Sequence, residues 1–207
     1  MELTVNQHDA LTELINIGYG RAAGALSELT GYRVTLEVPQ ITMLRIDEVT
    51  AQLTQMIEGD VASVNQVFSG PIGGNAVLML DERAANALSR LLSDLEPASG
   101  SDDLDSSDRE IITEVGNIVL NACLGVFGNL LQVQVSFSVP RLNVAGIGGI
   151  LKTITVETQE LQYGLMIHTR FKLRSSDVAG FLVIVLGITS LDRLLREIDQ
   201  WEARQTK

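Results

Sequence analysis

The chain is written twice, and this repetition constrains its fold more than any other feature. Residues 9 to 39 laid on residues 110 to 140 set Asp9, Glu13, Asn16 and Pro39 against Glu110, Glu114, Asn117 and Pro140, with the same spacings of four, three and twenty-three residues. Leu11, Leu14, Gly18 and Ala25 become Ile112, Val115, Val119 and Val126. The segments that follow, RVTLEVP and VQVSFSVP, both alternate and both reach a proline, which predicts strands ending where the ladder loses a donor. Later, LSRLLSDL at 88–95 and LDRLLREI at 191–198 share Leu-x-Arg-Leu-Leu. The copies are offset by about 101 residues.

Each half reads as a long helix, a strand, a connecting segment, two more strands and a closing helix. The first half predicts strands over 33–38, 61–69 and 74–80 and a helix over 82–95. The second predicts strands over 132–139, 161–173 and 180–187 and a helix over 190–204. Residues 46–57 read as a short helix, 150–157 as an extra strand, and the glycine-rich VAGIGGIL at 144–151 as a flexible turn. Short turns such as SGPIGG imply antiparallel pairing, so the class is α+β: a mainly antiparallel sheet with two long pseudo-symmetric helices. The expected organisation is one domain over 1–207, with halves 1–96 and 106–207 joined by linker 97–105. The surrounding stretch EPASGSDDLDSSD ends in an N-cap and an acidic first turn for the second long helix. It lacks the ordered ligand spacing of an EF-hand.

At about 100° per residue, Leu11, Leu14, Ile15, Gly18, Ala22, Ala25 and Leu29 share the core-facing arc of the first helix. Asp9, Glu13, Asn16 and Gly20 line up opposite. Asn is a poor helix former, so its place in mid-helix is explained by that exposed stripe. The repeat sharpens the point, since a merely solvated face has no reason to keep Glu, Asn and a distant Pro at fixed spacing while its apolar positions diverge.

Composition excludes more than it identifies. A formal charge of −11, from 15 basic and 26 acidic residues, disfavours nucleic acid and suits a partner that presents cations. The longest uninterrupted apolar run, Phe181 to Leu186, is too short to span a bilayer, and the first ten residues lack signal-peptide regions. A soluble cytoplasmic protein without membrane insertion is expected. The one cysteine, Cys123, lies among apolar neighbours in NIVLNACLGVF and reads as core. His8, read as a solvated residue before the first helix, and His168 stand at no ligand spacing. Neither GxSxG, a Walker lysine loop nor a dinucleotide glycine fingerprint is present.

What remains is the duplicated Glu and Asn, three apart and so neighbours on a helix. A carboxamide accepts and donates, so it can hold a water in a chosen orientation without titrating. Hydrolysis of a reactive phosphoryl group rests mostly on positioning and electrostatics, which such a group can supply. A carboxylate beside it can pair with a cation on a protein substrate. Gly18 and Gly20 leave little bulk near Asn16, which suits either a closely approaching partner or helix packing.

The pattern Asp/Ser-x3-Glu-x2-Asn-x22-Pro resembles the signature of the CheC, CheX and FliY phosphatases of chemotaxis, which act on the response regulator CheY. Asp9, Glu13, Asn16 and Pro39 match it throughout; Glu110, Glu114, Asn117 and Pro140 depart at the first position. Two copies over nearly the whole chain look like CheC. The resemblance implies that Asn16 and Asn117 orient water beside the aspartyl phosphate of a CheY-like receiver. It implies that Glu13 and Glu114 pair with the receiver's lysine. The chain itself would bind no cofactor, the Mg²⁺ belonging to the receiver, and Pro39 and Pro140 would be structural. CheD is a further partner known for the family. The rival reading is a non-catalytic module that sequesters a receiver, CheD or a flagellar-switch component.

Overall fold

The computed structural model describes residues 3–57, 59–93, 104–155, 162–173 and 176–205. Two helices of 26 residues, α1 (Val5–Thr30) and α4 (Ser106–Leu131), dominate it. Both start on a capping box. Thr4 accepts from the Gln7 amide and Asp105 from the Asp108 amide, while the Gln7 and Asp108 side chains reach back to the cap amides. Both end on a left-handed residue, Gly31 (φ 72°) and Gln132 (φ 59°).

Around them run β1 (Val34–Arg45), α2 (Ile46–Met56), β2 (Asp60–Ser69), β3 (Gly74–Asp81) and α3 (Glu82–Ser93) in the first half. The second half adds β4 (Ser136–Phe137), β5 (Arg141–Gly146), α5 (Ile147–Thr155), β6 (Gln162–Leu173), β7 (Ser176–Gly187) and α6 (Ile188–Gln205). All the strands join one antiparallel sheet in the order β1-β6-β7-β3-β2-β4, with β5 also paired to β2. The order is itself pseudo-symmetric: β3 and β7 meet at the centre, and each half lends its first strand to the other half's second. Neither half can close its part of the sheet alone.

The central strands are covered on both faces, and their alternation sorts the core into two layers. Ala76, Leu78 and Leu80 of β3 with Leu182, Ile184 and Leu186 of β7 pack under α1, α3, α4 and α6. Val77 and Met79 with Phe181, Val183 and Val185 pack under α2 and α5 on the opposite face. Each fully buried aliphatic or aromatic side chain contributes about 1.5–3 kcal/mol, so the first and larger layer dominates stability. Among the described residues one helix, α4, is long and apolar enough to cross a membrane; its Ile112, Val115, Val119, Leu120, Leu124 and Phe127 are spent on the core.

Several expectations are corrected. Pro39 does not end a strand: β1 runs on to Arg45, and its pairing with β6 shifts register between Glu37 and Gln40, the irregularity that a residue without an N–H imposes. The predicted strand 132–139 shrinks to Ser136–Phe137, and Pro140 separates β4 from β5, where Pro39 interrupts a continuous strand. VAGIGGIL is not a turn but the end of β5 and the start of α5, so the extra strand over 150–157 is a helix to Thr155; residues 156–157 lie outside the described residues. Ile147, Ile150 and Leu151 bury one helical face, and this packing overrides the β-branched composition. His8 lies within the first turn of α1, and its Nε2 reaches the Ile41 carbonyl at 3.3 Å. Of linker 97–105, only Leu104, buried, and the cap Asp105 are among the described residues, as are 82–93 of the helix expected to reach 95.

Candidate functional site

The helices α1 and α4 pack against each other antiparallel. A Cβ on Gly18 would lie 2.9 Å from Cys123 Cα, while Leu29 and Thr30 at the end of α1 flank Glu110, Ile111, Glu114 and Val115 at the start of α4. Gly18 is therefore a helix-crossing glycine, which resolves the two readings the sequence left open. Gly20, by contrast, faces open space. Cys123 is buried at the crossing and its thiol pKa is pushed up by that burial. This is a packing role rather than a thiolate's.

Because the helices are antiparallel, their Glu and Asn pairs sit toward opposite ends of the helix pair. On α1, Glu13 and Asn16 are both exposed, between turns whose Leu11, Leu14, Ile15 and Gly18 are buried. Neither side chain has a hydrogen-bond or ion-pair partner among the described residues. The core arc of α1 is not quite the expected one: Tyr19 and Leu26 are buried, whereas Ala25 and Leu29 are exposed. The Tyr19 hydroxyl bonds to Thr169 Oγ1 on β6, and burial, the largest cause, raises its pKa well above the usual phenol value. Toward the end of α1 the buried face thus narrows to the side of Tyr19 and Leu26.

On α4, Glu114 is exposed and likewise unpaired, and it borders a groove of about 360 Å³ lined by Leu29, Thr30, Leu92, Glu110, Ile111 and Val115. Asn117 differs. It is half-buried, and its Oδ1 accepts from Asn121 Nδ2 at 2.6 Å. Asn121 Oδ1 in turn accepts from Gln66 Nε2 at 3.1 Å, and Gln66 Nε2 also donates to the Ser138 carbonyl at 3.0 Å. Gln66 is a buried polar residue on β2, two residues from Val64 and on the same face. Val64 meets Gly116, where an added Cβ would come within 2.4 Å of its side chain. The glycine lets α4 settle close on β2, and that brings Asn121 within reach of Gln66.

The sequence reading singled out both pairs but neither Asn121 nor Gln66. A signal for Asn121 was present in the repeat: its counterpart at the 101-residue offset is Gly20, so the copies differ one turn beyond the shared Asn. Asp9, the first residue of the pattern, is exposed, with its carboxylate 3.7 Å from His8 Nδ1; Glu110 is exposed in the corresponding place. Among the described residues no three His, Cys, Asp or Glu side chains come together to hold a metal. A cavity of about 590 Å³ lies elsewhere, among Ile57, Asp60, Asp81 and Glu82.

No family model matches the chain. It is similar to the CheY-P phosphatase CheC of Bacillus subtilis, 27% identical over 172 residues that cover 79% of this chain and 78% of that protein. It is similar to a putative CheY-P phosphatase, CheC1, of Halobacterium salinarum, 24% identical over 140 residues, 68% of this chain and 70% of that one. Its fold matches the crystal structure of Thermotoga maritima FliY with a TM-score of 0.79 at 16% identity, over 97% of this chain and all of that one.

Proposed function

From its membership of the CheC/CheX/FliY family, we propose that the chain accelerates hydrolysis of the aspartyl phosphate on a CheY-like receiver domain, once at each Glu and Asn pair. The observation that carries this reading is the pairing itself: in each copy an exposed Glu, unpaired among the described residues, stands one turn from an Asn on a long helix whose other side is core. Uncommitted carboxylates on rigid helices are poised to meet a cation. Glu13 and Glu114 pair with the receiver's active-site lysine and fix the register of docking. Asn16 and Asn117 then stand at the phosphorus and orient the attacking water, which adds to phosphorus as the bond to the aspartate oxygen breaks. Asp and inorganic phosphate are the products.

The catalytic contribution is positional, as expected for a reaction whose transition state needs charge placement more than covalent chemistry. The Mg²⁺ that neutralises the developing charge belongs to the receiver. The net charge of −11 favours encounter with a partner that offers a lysine, and its effect weakens with salt. The test is receiver decay and receiver binding measured on the Asn16→Ala/Asn117→Ala double variant. Loss of accelerated decay with retained binding supports catalysis. A wild-type protein that binds the phosphorylated receiver without shortening its lifetime would be a sequestering module instead.

A further inference from the structure

Asn117 is not free to turn, and the structure gives the reason a direction. We propose that Asn121, anchored by Gln66, is a positioning residue that locks the Asn117 carboxamide with its Oδ1 held inward and its Nδ2 hydrogens presented outward. This rests on the phosphatase reading only for its consequence in catalysis.

The direction of an amide chain is ordinarily ambiguous, because the oxygen and nitrogen of a carboxamide can be exchanged. Here one end of the chain removes the ambiguity. The Ser138 carbonyl can only accept, so the Gln66 atom facing it must be Nε2. That same Nε2 faces Asn121, which must therefore offer Oδ1. Asn121 then turns Nδ2 toward Asn117, which must offer Oδ1. Reversing Gln66 or Asn121 would set oxygen against oxygen, and reversing Asn117 would set one amide nitrogen against another. Ser138 is itself fixed to β2, since its N–H donates to the Val67 carbonyl at 2.9 Å and the Val67 N–H donates to its Oγ at 3.0 Å. The polarity of Asn117 thus traces through two amides to the backbone that leads into Pro140.

The first copy has no such lock. Gly20 stands where Asn121 would, and Thr169, which occupies the place of Gln66 in the sheet register, spends its hydroxyl on Tyr19. Asn16 must therefore be oriented by the docked receiver, whereas Asn117 is oriented beforehand. The second site meets the phosphoryl group with amide hydrogens already aimed outward, and retains one lone pair on Oδ1 for a water.

The test uses side-chain amide order parameters in the full-length protein together with receiver decay. In the wild type, the Asn117 Nδ2 is expected to be ordered like rigid backbone and the Asn16 Nδ2 to fall below about 0.6. Asn121→Ala should lower Asn117 to the level of Asn16. In an Asn16→Ala background, which leaves only the second site, Asn121→Ala should slow receiver decay by roughly threefold to tenfold, what one neutral hydrogen bond supplies, with receiver binding unchanged. Asn121→Asp keeps the shape and still accepts from Gln66 but cannot donate, so Asn117 stays ordered with its polarity reversed, and decay slows as well. Equal mobility of Asn16 and Asn117 in the wild type overturns the lock. Wild-type decay rates in Asn121→Asp overturn the importance of its direction. Failure of the phosphatase reading looks different: no variant or wild type shortens the receiver's lifetime, while the order parameters still report the lock.

Discussion

The two long helices arise from one repeated pattern, yet they meet the sheet differently. On α4, Gly116 lets Val64 approach to a distance no side chain would permit, and the helix lies close on β2. On α1 the equivalent position is Ile15, fully buried, and the neighbouring Tyr19 fills the space to β6 with a ring whose hydroxyl reaches Thr169. One helix is seated by the absence of a side chain and the other by the presence of a large one. The Glu and Asn pairs were thus kept while the packing beneath them diverged. The difference also shows how packing reaches the site, since only the close-set helix brings its Asn under the control of the strand below.

The largest effect that can break this comparison is at the pairs themselves. Asn16→Ala with Asn117→Ala should reduce accelerated receiver decay by roughly 100-fold or more, the scale lost with a positioning group in a transition state, and binding isotherms should show the receiver still captured. Next comes the seating of the helices. Gly116→Ala and Gly18→Ala each force a Cβ into side chain or backbone at under 3 Å, and each should cost about 1–3 kcal/mol in urea unfolding. Equal tolerance of alanine at 116 and at 20 would mean that α4 is not close-set at all.

A third effect is read in the alkaline pH dependence of stability. The raised folded pKa of Tyr19 means that the unfolded state loses this proton first as pH rises. Its stabilising contribution is complete below pH ~10 and declines above it, at up to ~1.4 kcal/mol per pH unit. Cys123, raised from an ordinary value of 9.0, acts in the same direction from about pH 9. Tyr19→Phe should flatten the steeper part of the alkaline loss, read as unfolding midpoints between pH 8 and about 11. The smallest effect is at Gly20, whose Cβ would meet nothing within 4 Å. Gly20→Ala should stabilise by about 0.5–1 kcal/mol through helix propensity alone.

Much of this was legible in the sequence, for reasons that differ by element. The long helices and the exposure of Glu13, Asn16 and Glu114 follow from a 3.6-residue period, which is local. The duplication made the second pair readable from the first. Strand exchange between halves was not legible, because β1 meets β6 and β2 meets β5 across most of the chain and no local pattern encodes a distant partner. Helix α5 was misread because Ile and Thr in a glycine-rich run favour strand in isolation, while burial of Ile147, Ile150 and Leu151 under the sheet decides otherwise. Ala25 and Leu29 were misplaced because the helix outruns the core it covers. The half-burial of Asn117 depended on Gly116 and Val64, residues 52 apart, and needed coordinates to be seen.

The most direct measurement is the lifetime of a phosphorylated CheY-like receiver with wild-type protein, Asn16→Ala and Asn117→Ala side by side, at saturating protein. Two working sites predict that each single variant shortens the lifetime less than wild type does and more than the double variant does, with the locked second site setting the rate that remains in Asn16→Ala. If either single substitution abolishes the acceleration, or if wild type leaves the lifetime unchanged, the account of two independent Glu and Asn sites is contradicted.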